Sequence, residues 1–100
     1  MRKIKQYVEK IEDELCSAKD YAEKALEYKV EGNSQGYSDY KSMANQELLH
    51  ADTIHRYAVD TVARFKAVYP NPPSDMMDKW EDAHKKFIEK TAWIKLMLNM

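Results

Sequence analysis

Cysteine, glycine and proline are scarce in this chain of 100 residues, which contains one Cys, two Gly and three Pro. The lone thiol, Cys16, permits no disulfide within the chain and no cysteine-rich zinc cluster. Charge of one sign is not in excess either, since the formal net charge is -1. This balance gives no reason to expect binding to nucleic acid or to an anionic membrane surface.

Long apolar runs are also missing from the sequence. No stretch approaches the ~20 apolar residues that a transmembrane helix requires, and Gln6, Glu9 and Glu12 interrupt the region where a signal peptide would need an apolar run. We therefore expect a cytoplasmic protein. No glycine-rich phosphate loop or serine triad signature is present, so no organic cofactor is predicted.

The few residues that break helices are confined to two short stretches. Both glycines lie in residues 31–36 and all the prolines lie in residues 70–73. The remaining segments are rich in Ala, Glu, Lys, Leu and Met, which favour helix. The sequence predicts an all-α fold of one domain, with helices over about 2–31, 34–69 and 74–98.

Turn residues indicate how these helices begin and end. Gly32 is placed to cap the C-terminus of the first helix, and Ser34 and Ser74 are placed to cap the N-termini of the second and third helices. A short turn between two long helices predicts an antiparallel hairpin. Because a hairpin and one further helix bury limited apolar surface, we expect a homodimer or larger homo-oligomer in which two hairpins form a four-helix bundle.

A carboxylate interrupts the apolar stripe of the second helix. Projection at 100° per residue puts Glu47 near the centre of the stripe, close to Ala44 and Ala51. A buried carboxylate needs a cation, a proton or a metal. His50 lies three residues further on, so that the two side chains can converge in an E-x-x-H arrangement.

Glu14 of the first helix faces the same seam, and Tyr21 lies seven residues further along it. In an exact antiparallel hairpin about the predicted turn at 32–36, Glu14 and Glu47 would differ in level by roughly 9 Å. Helix tilt and two long side chains would have to span that difference for Glu14, Glu47 and His50 to form one metal site.

This pattern resembles the ferritin-like di-iron carboxylate proteins, which include rubrerythrins and the half-length ferritins carried in encapsulin shells. Their hairpin has E-x6-Y on one helix and E-x-x-H on the next, as Glu14 to Tyr21 and Glu47 to His50 do here. The resemblance covers roughly residues 7–65. It implies a di-iron centre across a dimer, with Glu47 bridging, Glu14 and His50 terminal and Tyr21 beside them.

The resemblance also implies oxidation and storage of iron, with a protein shell as a conceivable partner. Carboxylates with imidazoles suit iron, manganese or zinc. The alternative function is a non-catalytic structural or adaptor bundle without metal. Glu47 would then be satisfied by a tyrosine hydroxyl or by a lysine of a partner chain.

Two further matches to the same spacing are weaker. Glu81 to His84 and Asp52 to His55 also place an acid three residues before a histidine, but projection puts Glu81 and Asp52 on outer faces. We expect neither pair to be a matched set of ligands, and the role of His84 is left open.

Overall fold

A computed structural model describes residues 2–100 and the side chains of residues 3–100. It contains α1 (Arg2–Val30), α2 (Ser34–Val68) and α3 (Ser74–Leu98), and no strand within the described residues. The predicted all-helical class, the hairpin and the third helix are confirmed. The molecule measures 55 × 17 × 17 Å, and dimerisation and a four-helix bundle stay predictions.

The first turn is shorter than the glycine positions suggested. Gly32 adopts a φ of 78°, its amide donates to the Lys29 carbonyl, and the Asn33 amide donates to the Tyr28 carbonyl. These bonds form a Schellman motif with Gly32 in the left-handed position, which confirms the predicted cap. The N-cap of α2 is Asn33, whose Oδ1 accepts from the Gly36 amide, so the prediction of Ser34 was wrong by one residue.

Gly36 lies inside the first turn of α2 rather than in the loop. The ring of Tyr28 packs against it so closely that an added Cβ would lie 2.6 Å from the Tyr28 Cγ. Glycine is required here for a close approach of α1 to α2 and not for backbone conformation. The turn therefore spans 31–33 instead of 32–36.

The second break begins after Val68, where the Tyr69 amide still bonds to the Phe65 carbonyl. Pro73 occupies the N-cap of α3 without a side-chain cap bond, so the prediction of Ser74 was also wrong by one residue. The fixed φ of proline positions the chain for helix entry, and its carbonyl accepts from the Met77 amide.

Alanines form the seam between α1 and α2. Fully buried alanines line both helices and let the two backbones approach closely. They are Ala18, Ala22 and Ala25 on α1, and Ala44, Ala51 and Ala58 on α2. No helix in the described part of the chain combines the length and apolarity needed to cross a membrane.

The third helix covers only one side of the hairpin. It packs chiefly along α1 and meets α2 at few points, with Trp80 and Phe87 beside Val8, Leu15 and His55. We call this side the covered face. Glu14 is adjacent to Leu15 in sequence and so points about 100° away from it, toward the side that α3 leaves open, which we call the open face.

Candidate metal site

Glu14, Glu47 and His50 meet on the open face. One ligand atom from each lies within 4.8 Å of the others, so the structure brings the three predicted residues together. Along the helix axes, Glu14 and Glu47 differ less in level than the sequence predicted, because the loop between the helices is shorter than predicted. Counted from Gly32, Glu14 is 18 residues before and Glu47 is 15 residues after, which leaves about 4.5 Å along the helix axes.

Aromatic packing seven residues further along the seam shows that α1 and α2 are paired in the same register there. Tyr21 of α1 packs against Tyr40 of α2 with ring centroids 6.1 Å apart. Each of these tyrosines is seven residues from its glutamate, Tyr21 after Glu14 and Tyr40 before Glu47. Two successive layers of the seam are therefore paired in the same register. The predicted role of Tyr21 beside a metal remains a prediction.

The site lies at the edge of the seam and opens to solvent on one side. The side chain of Glu14 is 12% exposed and that of Glu47 is 22% exposed, whereas that of His50 is 60% exposed. The two carboxylates are thus the enclosed part of the site. The imidazole is the part that a ligand or a second protein surface would reach first.

The two carboxylates influence each other's pKa in opposite directions. Hydrogen bonding with Glu47 lowers the pKa of Glu14, and the Lys10 ammonium strengthens that effect against the opposing influence of burial. Hydrogen bonding with Glu14 raises the pKa of Glu47, together with burial and the like charge of Glu14. Glu14 is therefore the stronger acid of the pair and Glu47 the weaker one.

Nitrogen atoms reach this pair from two sides. Nδ1 of His50 lies 3.7 Å from Glu14 and 3.8 Å from Glu47, and Nζ of Lys10 lies 3.1 Å from Glu14. Lys10 was not among the predicted residues, although its position four residues before Glu14 is the usual spacing of a helical ion pair.

The other two acid-histidine pairs do not form comparable sites, but their histidines meet. Nε2 of His55 lies 2.6 Å from Nδ1 of His84 on the covered face. Asp52 pairs instead with Arg56 at 3.7 Å, and Glu81 is exposed. No spacing in the sequence predicts this contact, because it depends on how α3 docks.

A comparison of the chain with protein-family models, with curated proteins and with solved structures finds no match. The geometry of the site is therefore the basis for assigning a function. Two carboxylates and an imidazole are the donors that iron, manganese and zinc accept. Three protein ligands leave coordination positions for water, for substrate or for groups of another chain.

Proposed function

We propose that the protein binds a transition metal, iron in the first place and manganese or zinc as alternatives, through Glu14, Glu47 and His50. The observation that carries this proposal is the close approach of two carboxylates and an imidazole in the seam, with ligand atoms within 4.8 Å of one another. The like charge of Glu14 and burial raise the pKa of Glu47, and a divalent cation would stabilise both carboxylates as anions.

The activity that fits this site is oxidation of Fe(II) to Fe(III) by dioxygen or peroxide, which takes up the electrons, with iron as substrate and stored product of a ferritin-like protein. Glu47 would bridge two ions, while Glu14 and His50 would each hold one and Tyr21 would lie beside them. Such a centre needs six ligands, and one chain supplies three. A second copy that presents the same three residues would complete it.

The open face supports pairing with a second copy. Met43, His50 and Tyr57 are spaced seven residues apart and so lie along one side of α2. Met43 is 36% exposed and Tyr57 is 62% exposed, so that apolar surface flanks the site on both sides. A second hairpin docked here would bury this surface and enclose the carboxylates.

Metal binding is tested by adding Fe(II) under nitrogen, Mn(II) or Zn(II) to protein stripped of metal, and by measuring stoichiometry and melting temperature. We expect binding that raises the melting temperature by mass action and that is lost in Glu47→Ala and His50→Ala. Glu81→Ala, from the matched motif on α3, should bind as the wild type does. Equal binding by Glu47→Ala and the wild type would contradict the proposed site.

Association is tested by sedimentation at tens of micromolar protein, with and without metal. We expect a dimer, and we expect Met43→Glu to dissociate it by placing a charge within the apolar surface. Leu49→Glu is the control, because Leu49 is 66% exposed and projects away from the seam. A strict monomer under all these conditions would contradict the site shared between two copies.

The alternative is a helical adaptor or structural protein that binds no metal. The ion pair of Lys10 with Glu14 favours it, since this pair offsets one of the two carboxylate charges from within the chain. The two functions predict opposite results in one experiment. Absence of binding and an unchanged melting temperature with all three metals would favour the adaptor.

A further inference from the structure

His55 and His84 form an unusual contact between α2 and α3. Their ring planes are within 11° of parallel and their centroids are 4.8 Å apart, yet two ring nitrogens are only 2.6 Å apart. Rings stacked face to face could not bring any two atoms closer than the roughly 3.5 Å van der Waals separation. The imidazoles therefore meet edge to edge, with one N–H donating to the nitrogen of the other ring.

Aromatic rings hold this pair in place. His55 stacks on Phe87 with centroids 4.0 Å apart and planes within 12°, and Trp80 lies 5.7 Å from His84. Both aromatic residues are buried. A cavity of about 20 Å³ adjoins the pair, which is room for about one water molecule. The hydrogen bond thus lies in a largely apolar setting.

This contact is one of few that join α2 to α3, since α3 packs chiefly along α1. A second polar link, from the Tyr37 hydroxyl to the Leu98 carbonyl, lies at the end of α3 and measures 3.3 Å. Within the described residues, the histidine pair is therefore the hydrogen-bonded attachment of the middle of α3 to α2, beside the stacking of His55 on Phe87. Loss of this hydrogen bond weakens the docking of α3 on α2.

Protonation has a defined effect on such a pair. With no extra proton, one ring donates and the other accepts. One added proton leaves a charge-assisted N–H to N bond, which is retained. A second added proton gives both facing nitrogens a hydrogen, so that two donors and two positive charges confront each other and the bond is lost.

The charges around the pair do not offset two imidazolium ions. Asp52 on α2 and Glu12 on α1 are the facing anions, and Lys86 and Lys90 on α3 are the facing cations. Asp52 is engaged by Arg56. Burial and the nearness of His84 lower the pKa of His55, so the structure already disfavours the charged form.

We infer that His55 and His84 are an acid-sensitive latch, which fastens α3 to α2 while the pair carries at most one added proton and releases α3 when both rings are protonated. The device does not depend on the metal site. A metal ion is the less suitable occupant, because the two nitrogens point directly at each other with no space for an ion between them.

The sign of the pH dependence follows from the lowered pKa. Well above the ordinary histidine pKa of about 6.5, His55 and His84 are neutral in both the closed and the released protein, so the latch is fully closed there. Below that value the released state binds more protons than the closed one. The ratio of closed to released protein should then fall about tenfold per pH unit for one extra proton.

The test uses the whole protein labelled with 15N-histidine. At pH 7.5 we expect a scalar coupling across the hydrogen bond between His55 Nε2 and His84 Nδ1, and we expect it to disappear between pH 6.5 and 4.5. Amide exchange in residues 74–98, corrected for intrinsic rates, should accelerate over the same range, while exchange in the seam of α1 and α2 should not.

Conservative variants separate the latch from general acid unfolding. His55→Gln and His84→Asn each keep an amide group near the position of the bonded ring nitrogen, so that one amide N–H can donate to the oxygen of the other amide. Neither side chain titrates, so the double variant should lose the acid-induced acceleration. His50→Gln, which removes the exposed histidine, should keep it. The inference is overturned by absence of the coupling, by an identical pH profile in the double variant, or by a metal found on these nitrogens in purified protein.

Discussion

The two faces of the helix hairpin carry the same short motif and differ in everything else. On the open face, Glu47 and His50 meet Glu14 from the neighbouring helix and form a polar cluster. On the covered face, His55 turns away from Asp52 and bonds to His84. An acid three residues before a histidine therefore says little by itself. The direction of the acid relative to the apolar stripe decides what the pair can do.

The largest expected effect on stability comes from a substitution in α3, where this helix packs on the covered face. Phe87→Ala should lower the free energy of unfolding by about 3 kcal/mol or more, because it deletes a buried ring and leaves a cavity beside His55. Urea denaturation measures this loss. Metal stoichiometry per folded molecule should not change, and a parallel loss of metal binding would show that the two faces are coupled.

Gly36→Ala should have the next largest effect. The added methyl group would overlap the Tyr28 ring, and overpacking of this kind costs roughly 1–3 kcal/mol. Because Gly36 sets how closely the helices approach near the turn, we also expect weaker metal binding on the open face.

Gly32→Ala is the matched control for that substitution. Nothing lies within 4 Å of a Cβ at Gly32, so only its left-handed backbone opposes alanine, at about 1–2 kcal/mol. Metal affinity should be retained. Equal loss of affinity in both variants would contradict a specific role for the contact of Gly36 with Tyr28.

Glu47→Gln should stabilise the metal-free protein at neutral pH while abolishing metal binding. An amide can donate a hydrogen bond to Glu14 and removes a negative charge beside that carboxylate, so we expect a gain of about 1 kcal/mol. The contribution of Glu47 is complete below its ordinary pKa and is lost as the pH rises through the raised pKa.

The difference between this variant and the wild type should therefore be small near pH 4.5 and should grow toward pH 7. Thermal unfolding in chelator across that range measures it. A variant that is less stable than the wild type at pH 7 would contradict an unfavourable approach of the two carboxylates.

Glu81→Gln should have the smallest effect, within about 0.5 kcal/mol, because Glu81 is an exposed surface residue. Its removal should alter neither metal uptake nor the pH profile of α3. A measurable loss of either would mean that the motif on α3 contributes to function after all, and the contrast between the faces would fail.

Much of the fold follows from local features of the sequence. The breaks at 31–36 and 70–73 predicted where the helices begin and end. The position of Glu47 in the apolar stripe predicted a site on the open face before the neighbouring side chains were known. The predicted N-caps of α2 and α3 were each wrong by one residue, because Asn33 and Pro73 occupy the cap positions instead of the adjacent serines. Those errors are local and small, yet the observed position of the first cap makes the loop shorter than predicted and brings Glu14 closer in level to Glu47.

Contacts with α3 could not be predicted in the same way. The rotation of α3 about its axis and its height along α1 depend on how Trp80 and Phe87 pack, which no short spacing encodes. The meeting of His55 with His84 is a result of that docking. The ion pair of Lys10 with Glu14, in contrast, has an ordinary helical spacing and was available from the sequence.

The heptad spacing of the seam has a consequence for how the hairpin finds its alignment during folding. A slip of α2 by seven residues would still direct small buried residues toward α1, since Ala44, Ala51 and Ala58 recur at intervals of seven along α2. It would, however, set Glu47 opposite Tyr21 and deprive it of the carboxylate partner and of Lys10. The carboxylate layer thus penalises the misaligned hairpins, much as a single buried polar residue fixes the alignment of a coiled coil. Replacing Glu14 and Glu47 by leucine should give a hairpin with more than one alignment, visible as duplicated amide resonances, and a single set would contradict this role.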